Sequence, residues 1–143
     1  MLDVFAGTGA YAFEALSRGA ERAVLVERDG RTAKAIEASA RELGLGSRVT
    51  VVVGDANAGA THARLTGPFE RVFIDPPYAE IAAVEGLISA LDARGLLADD
   101  ALIVVEHASK APPGIPATFD KVSSPRYGDT AVMLLRRKGE EST

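Results

Sequence analysis

Strand-length apolar runs alternate with helix-patterned stretches along most of this chain, and that alternation leaves few folds open. Leu2–Phe5, Ala23–Val26, Val49–Val53, Arg71–Ile74 and Leu102–Val105 read as strands. Between them, Ala10–Ser17, Arg31–Leu43, Ala56–Leu65 and Ile81–Ala93 read as helices, the Ala56–Leu65 signal being weak. Ala33, Ile36, Ala40 and Leu43 form one apolar face, and Val84, Leu87, Ile88 and Leu91 another. Val49–Val53 is apolar enough to be read as covered on both faces. After the Pro-rich stretch Ala111–Thr118 the pattern changes to two strands, Phe119–Ser123 and Thr130–Arg136, joined through Arg126-Tyr127-Gly128-Asp129. Such an order predicts an α/β chain with a doubly wound, mostly parallel seven-stranded sheet and an antiparallel last strand. Residues 1–137 read as one domain and 138–143 as a polar, disordered tail.

The first strand runs directly into Gly7-Thr8-Gly9 and then a helix. Glycines at that junction let the backbone turn sharply and let a ligand approach it closely. Gly7-x-Gly9-x-x-Ala12, with Glu27 about twenty residues beyond Gly7, satisfies the dinucleotide fingerprint, so glycine spacing alone leaves a nicotinamide cofactor and S-adenosylmethionine both open. Asp3 favours the second. Its carboxylate would attract the charged amino group of a methionine moiety and repel a pyrophosphate. A hydride-transfer partner is not evident either, since His62 falls in the weak helix and His107 after the fifth strand.

Acidic residues recur where the strands end: Glu27, Asp55, Asp75 and Glu106. In an open α/β sheet such positions converge on the rim that binds ligands. Glu27 is placed to hold a ribose hydroxyl pair, and Asp55, after Gly54, to accept from an adenine amino group. Glu106 reads as a strand-end residue with a packing partner. The segment Asp75-Pro76-Pro77-Tyr78 carries the reacting chemistry. Its carboxylate accepts a hydrogen bond from an exocyclic amine, its prolines stiffen the loop and remove backbone donors, and its tyrosine offers a face for stacking.

Composition removes several classes of function. The chain has no cysteine, so disulfides, thiolate metal sites and cysteine nucleophiles are excluded. His62 and His107 are its only histidines, too few for a histidine-rich metal centre. No apolar run reaches membrane-spanning length, no basic leader opens the sequence, and a cytoplasmic location is expected. The net charge of −4 is unhelpful for contacting nucleic-acid phosphates.

Asp3-Val4-Phe5-Ala6-Gly7-Thr8-Gly9-Ala10, Glu14-Ala15-Leu16-Ser17-Arg18-Gly19-Ala20 and Asp75-Pro76-Pro77-Tyr78 together resemble the RsmD-type methyltransferases. Arg126-Tyr127-Gly128-Asp129-Thr130 is similar to that family's penultimate hairpin, so the resemblance runs over about residues 2–136. It implies a Rossmann-like class I methyltransferase fold, S-adenosyl-L-methionine as cofactor, and methylation of the exocyclic amine of a guanine in small-subunit ribosomal RNA. It also implies a monomer acting without metal or membrane. By position, Asp3, Phe5, Gly7 and Gly9 would line the methionine side, Glu27 the ribose, and Asp55 with Ala56 the adenine; Asp75, Pro76, Pro77 and Tyr78 would grip the target base. The residues alone leave an adenine amine of DNA or RNA open as target. Members of the family carry a basic segment ahead of the first strand, whereas this sequence starts at the strand, with Met1 where a β-branched residue is expected. That departure predicts a truncated or misassigned start, an intact cofactor site, weakened RNA affinity, and at the extreme a cofactor-binding domain without efficient catalysis.

Overall fold

A computed structural model describes residues 1–139 of the chain. The strands are β1 (Leu2–Asp3), β2 (Ala23–Glu27), β3 (Val49–Val53), β4 (Phe69–Ile74), β5 (Leu97–Ala108), β6 (Phe119–Ser123), β7 (Arg126–Tyr127) and β8 (Thr130–Arg137). The helices are α1 (Ala10–Ser17), α2 (Gly30–Glu42), α3 (Gly59–His62) and α4 (Val84–Ala93). All strands join one sheet in the order β3-β2-β1-β4-β5-β8-β6, with β7 a short addition paired to β8. Strands β1 to β5 pair in parallel, and β8 runs antiparallel to both β5 and β6. The expected doubly wound sheet with an antiparallel last strand is therefore present.

Alternating side chains along each strand feed two cores, one per face. In β2, Val26 joins Leu2, Val72, Ile74, Ile103 and Val105 under α4, while Ala23 and Leu25 join Ala12, Leu16 and Ile36 under α1 and α2. The register pairs Asp3 with Leu25 and Phe73, which puts its carboxyl on the face that α1 and α2 cover. Tyr11 of α1 stacks on Phe73 there, ring centroids 3.6 Å apart and planes 7° apart. The α2 start is fixed by Asp29, whose carboxylate accepts from Arg31 N–H at 3.0 Å and from Thr32 Oγ1 at 3.1 Å.

Several local expectations are corrected. Val49–Val53 is not covered on both faces: β3 is an edge strand, only Val52 is buried, and Val53 is 41% exposed. Leu43 lies just past the end of α2 and is exposed, so it leaves the apolar face that Ala33, Ile36 and Ala40 bury. Ala56–Leu65 contains only the single helical turn of α3, and Tyr78–Ala83 is a 3₁₀ turn preceding α4. β5 is far longer than its apolar stretch, because β8 pairs with it from Leu102 to Ala108, and it includes both Glu106 and His107. Lys138 is tied down, its N–H donating to Thr118 O at 2.8 Å; the rest of the expected tail, 140–143, lies outside the described residues.

Candidate active site

β1, β2 and β4 end at one rim, and a cavity of about 400 Å³ opens there. Phe5, Gly7, Glu27, Asp55, Ala56, Asp75, Pro76 and Pro77 all line it, which brings residues expected at the cofactor together with three expected at the target base. The glycines at the first turn divide two tasks. Gly7 and Gly9 have φ of +55° and +80°, conformations that L side chains rarely adopt. A Cβ on Gly7 would meet nothing within 4 Å, so that residue leaves room for a ligand against its backbone. A Cβ on Gly9 would stand 3.0 Å from Phe13 Cε2 and 3.4 Å from Ile36 and Leu25 side chains. Gly9 is thus a packing glycine that lets α1 close on the sheet; it is buried and is not among the residues lining the cavity.

Glu27 fastens the loop. Its Oε2 accepts from Gly7 N–H at 3.1 Å and its Oε1 from Asp29 N–H at 3.3 Å. A carboxylate has lone pairs beyond these two, enough for hydroxyl donors on a ligand. Asp55 Oδ1 accepts from Asn57 N–H at 2.9 Å, an Asx turn that holds the loop after β3. Buried His62 donates from Nε2 to Ala56 O at 2.6 Å, which steadies the same loop from below. Across the cavity, Asn57 Nδ2 donates to Glu80 Oε1 at 3.2 Å and links this loop to the turn after Pro77.

Asp3 does not line the cavity, although its neighbours Val4 and Phe5 do. Only 1% of it is exposed, and its Oδ1 is buried without a hydrogen-bond partner among the described residues. Its pKa is pushed up to about 7, first by burial, then by the charges of Asp75 and Glu27. A buried carboxylate oxygen without a donor fits a cationic group delivered by a ligand. Asp3, the open backbone at Gly7 and the carboxylate of Glu27 therefore suit S-adenosylmethionine, with its ammonium, its backbone-hugging chain and its ribose diol.

Asp75 stands exposed at the rim, yet the protein crowding its carboxyl raises its pKa. Pro77 O accepts from Glu80 N–H at 2.8 Å, whereas among the described residues no backbone N–H bonds the Pro76 carbonyl, which stays free to accept. Asp75 and Pro76 also border a second cavity of about 250 Å³, and Tyr78 belongs to that cavity rather than to the first. Tyr78 is 84% exposed, a ring face offered to solvent. Glu106 and His107 line the second cavity too. Glu106 is half-buried near the end of β5, paired in register with Val132, and no hydrogen bond or ion pair reaches its carboxylate among the described residues. Sequence reasoning also missed Asn57 and Glu80, whose pairing across 23 residues leaves no local signal.

Sheet order, glycine turn and carboxylate rim together define a class I methyltransferase. A family model described as Conserved hypothetical protein 95 matches residues 1–136, and the chain belongs to that family, the RsmD-type proteins its motifs resemble. It is similar to Ribosomal RNA small subunit methyltransferase D of Escherichia coli, 34% identical over 140 residues that cover 97% of this chain and 69% of that one. YlbH of Bacillus subtilis is 35% identical over 144 residues, covering 96% of this chain and 76% of that protein. Among solved structures, a conserved hypothetical protein of Streptococcus pyogenes superposes with a TM-score of 0.85 at 34% identity, over 99% of this chain and 87% of that one. At 17% identity, the S-adenosylhomocysteine-bound methyltransferase PaMTH1 of Podospora anserina shares the fold, with a TM-score of 0.72.

Proposed function

We propose that this chain is an S-adenosylmethionine-dependent methyltransferase that modifies the exocyclic amine of a guanine in small-subunit ribosomal RNA, and that residues 1–137 form its methyltransferase domain. The carrying observation is that Asp75 and Pro76 stand on the wall shared by the two cavities. One cavity fits the cofactor, the other opens beside it, and the amine acceptors lie between them. The relative from Escherichia coli, named for its action on small-subunit ribosomal RNA, supports this choice of substrate.

Bound S-adenosylmethionine supplies a methyl group already activated on a sulfonium. What the chain adds is position. A base drawn out of its stack lies on Tyr78, whose exposed ring gains burial by stacking. Asp75 and the Pro76 carbonyl accept the two amine N–H bonds, which turns the nitrogen lone pair toward the first cavity. With the cofactor bound, transfer of its methyl group would leave the amine cationic. Asp75 then takes its proton or passes it to water at the open rim. A carboxylate with a raised pKa is a better proton acceptor than an ordinary one.

The test is methyl transfer from labelled S-adenosylmethionine to small-subunit ribosomal RNA and its assembly intermediates, followed by nucleoside analysis. Label in N2-methylguanosine at one position is expected. Label in N6-methyladenosine, or no transfer by a folded chain that binds the cofactor, would contradict this function.

A further inference from the structure

The second cavity has polar groups in its walls that no described residue satisfies. Glu106 and Asp75 are neighbours across β5 and β4: Ile74 pairs with Val105, and each carboxylate follows its member of that pair. Adjacent strands lie about 4.8 Å apart, so continuing this register by one residue puts both side chains on the same face of the sheet. This proximity is felt electrostatically, since the pKa of Glu106 is raised by burial first and by the charge of Asp75 second. A cation would relieve them, but among the described residues no salt bridge or hydrogen bond reaches Glu106, and no group of His, Asp and Glu is arranged to hold a metal. His107, the next residue along β5, directs its side chain to the opposite face of the strand. It is only 7% exposed and borders the same cavity. Its Nδ1 donates to Ala108 O at 2.7 Å, which leaves Nε2 buried without a partner. Buried polar atoms in folded proteins are nearly always paired, so the cavity's border holds polar capacity that the described residues leave unused.

The chemistry beside a target amine says what that something presents. In guanine the exocyclic N2 amine is flanked by N1–H, a donor. In adenine the N6 amine is flanked by a bare N1, an acceptor. With Asp75 and the Pro76 carbonyl on the amine, an adjacent carboxylate meets a donor in one base and a lone pair in the other. We propose that Glu106 accepts the N1–H of the target base and so selects guanine over adenine. This role rests on the methyltransferase function above and adds the residue that sets its base specificity. Glu106 would leave an adenine unpaired and repelled, the arrangement by which polar sites reject near-isosteres most strongly.

The test uses two RNA fragments that differ only at the mapped target, one with guanine and one with 2-aminopurine, which keeps the amine and lacks N1–H. The wild-type chain and Glu106→Ala are compared for kcat/KM on each, with cofactor affinity and thermal melting measured alongside. On guanine, Glu106→Ala should lose about 10²-fold, the scale for removing one positioned polar partner. On 2-aminopurine it should lose nothing, so the wild-type preference collapses in the variant while cofactor affinity holds. Glu106→Gln, which keeps an acceptor oxygen, should recover part of the guanine rate. An equal loss on both fragments would reveal a packing role and overturn the proposal, as would no loss on either. Absence of transfer by the wild-type chain to both fragments would instead contradict the methyltransferase function itself, and the specificity role with it.

Discussion

The two cavities share Asp75 and Pro76 and differ in almost everything else. In the larger, the polar groups are already at work inside the protein. Glu27 holds Gly7 and Asp29, Asp55 holds Asn57, and Asn57 holds Glu80. In the smaller, Glu106 and His107 Nε2 have no partner among the described residues, and Tyr78 is open to solvent. The first is preorganised, its loops braced before any ligand arrives. The second is left unsatisfied, and what binds there must complete it. That contrast suits a cofactor held in a fixed pose and a base that is delivered on RNA and then released.

If the contrast is right, damage to one cavity should leave the other's function measurable. The largest effect is expected from Gly7→Val. It forces a β-branched residue to φ +55° and fills the space that the glycine leaves open, so S-adenosylhomocysteine binding should vanish by calorimetry while the chain still melts cooperatively. Normal binding by this variant would show that the glycine turn does not face the cofactor.

A smaller effect is expected from Asp3→Asn. Loss of a charge-assisted hydrogen bond to a cofactor ammonium costs about 1.5–3 kcal/mol, roughly ten- to hundredfold in affinity near pH 8. The pH dependence sharpens this. Asp3's carboxyl titrates at about 7 when folded against an ordinary 3.8, so the folded chain binds the extra proton between those values. Protonation must therefore favour the folded state, and this group's contribution to stability falls as pH rises from about 4 to 7. A cation beside Asp3 reverses the preference: cofactor affinity should rise as pH climbs through 7. Both slopes should flatten in Asp3→Asn, one read by thermal melting and the other by titration. Unchanged slopes would remove Asp3 from the cofactor's surroundings.

The same contrast explains what the sequence made legible. The larger cavity is announced by contiguous signals: a strand running into Gly7-x-Gly9, a carboxylate ending the next strand, and Asp75 opening a stiff proline turn. The smaller cavity is assembled from residues 75–81, 106–111 and 129–130, which meet only because β8 folds back against β5. Glu106 shares with the other acids only its place at a strand end, and its particular meaning comes from the register that sets it beside Asp75. Gly9 shows the converse. It matches a cofactor fingerprint, yet its φ and close neighbours show that helix packing demands it. Apolar content likewise said nothing about where β3 would sit, and its edge position leaves Val53 exposed.

Because Asp75 borders both cavities, it tests most directly whether they are separate in function and joined only at the amine. The measurement is Asp75→Ala, with S-adenosylhomocysteine affinity and methyl transfer to ribosomal RNA followed in parallel. Affinity should stay within a few-fold of wild type, because the braced groups of the larger cavity remain, while turnover falls by about two orders of magnitude. Ordinary turnover in this variant, or affinity and turnover lost together in proportion, would contradict the division of labour between the two cavities.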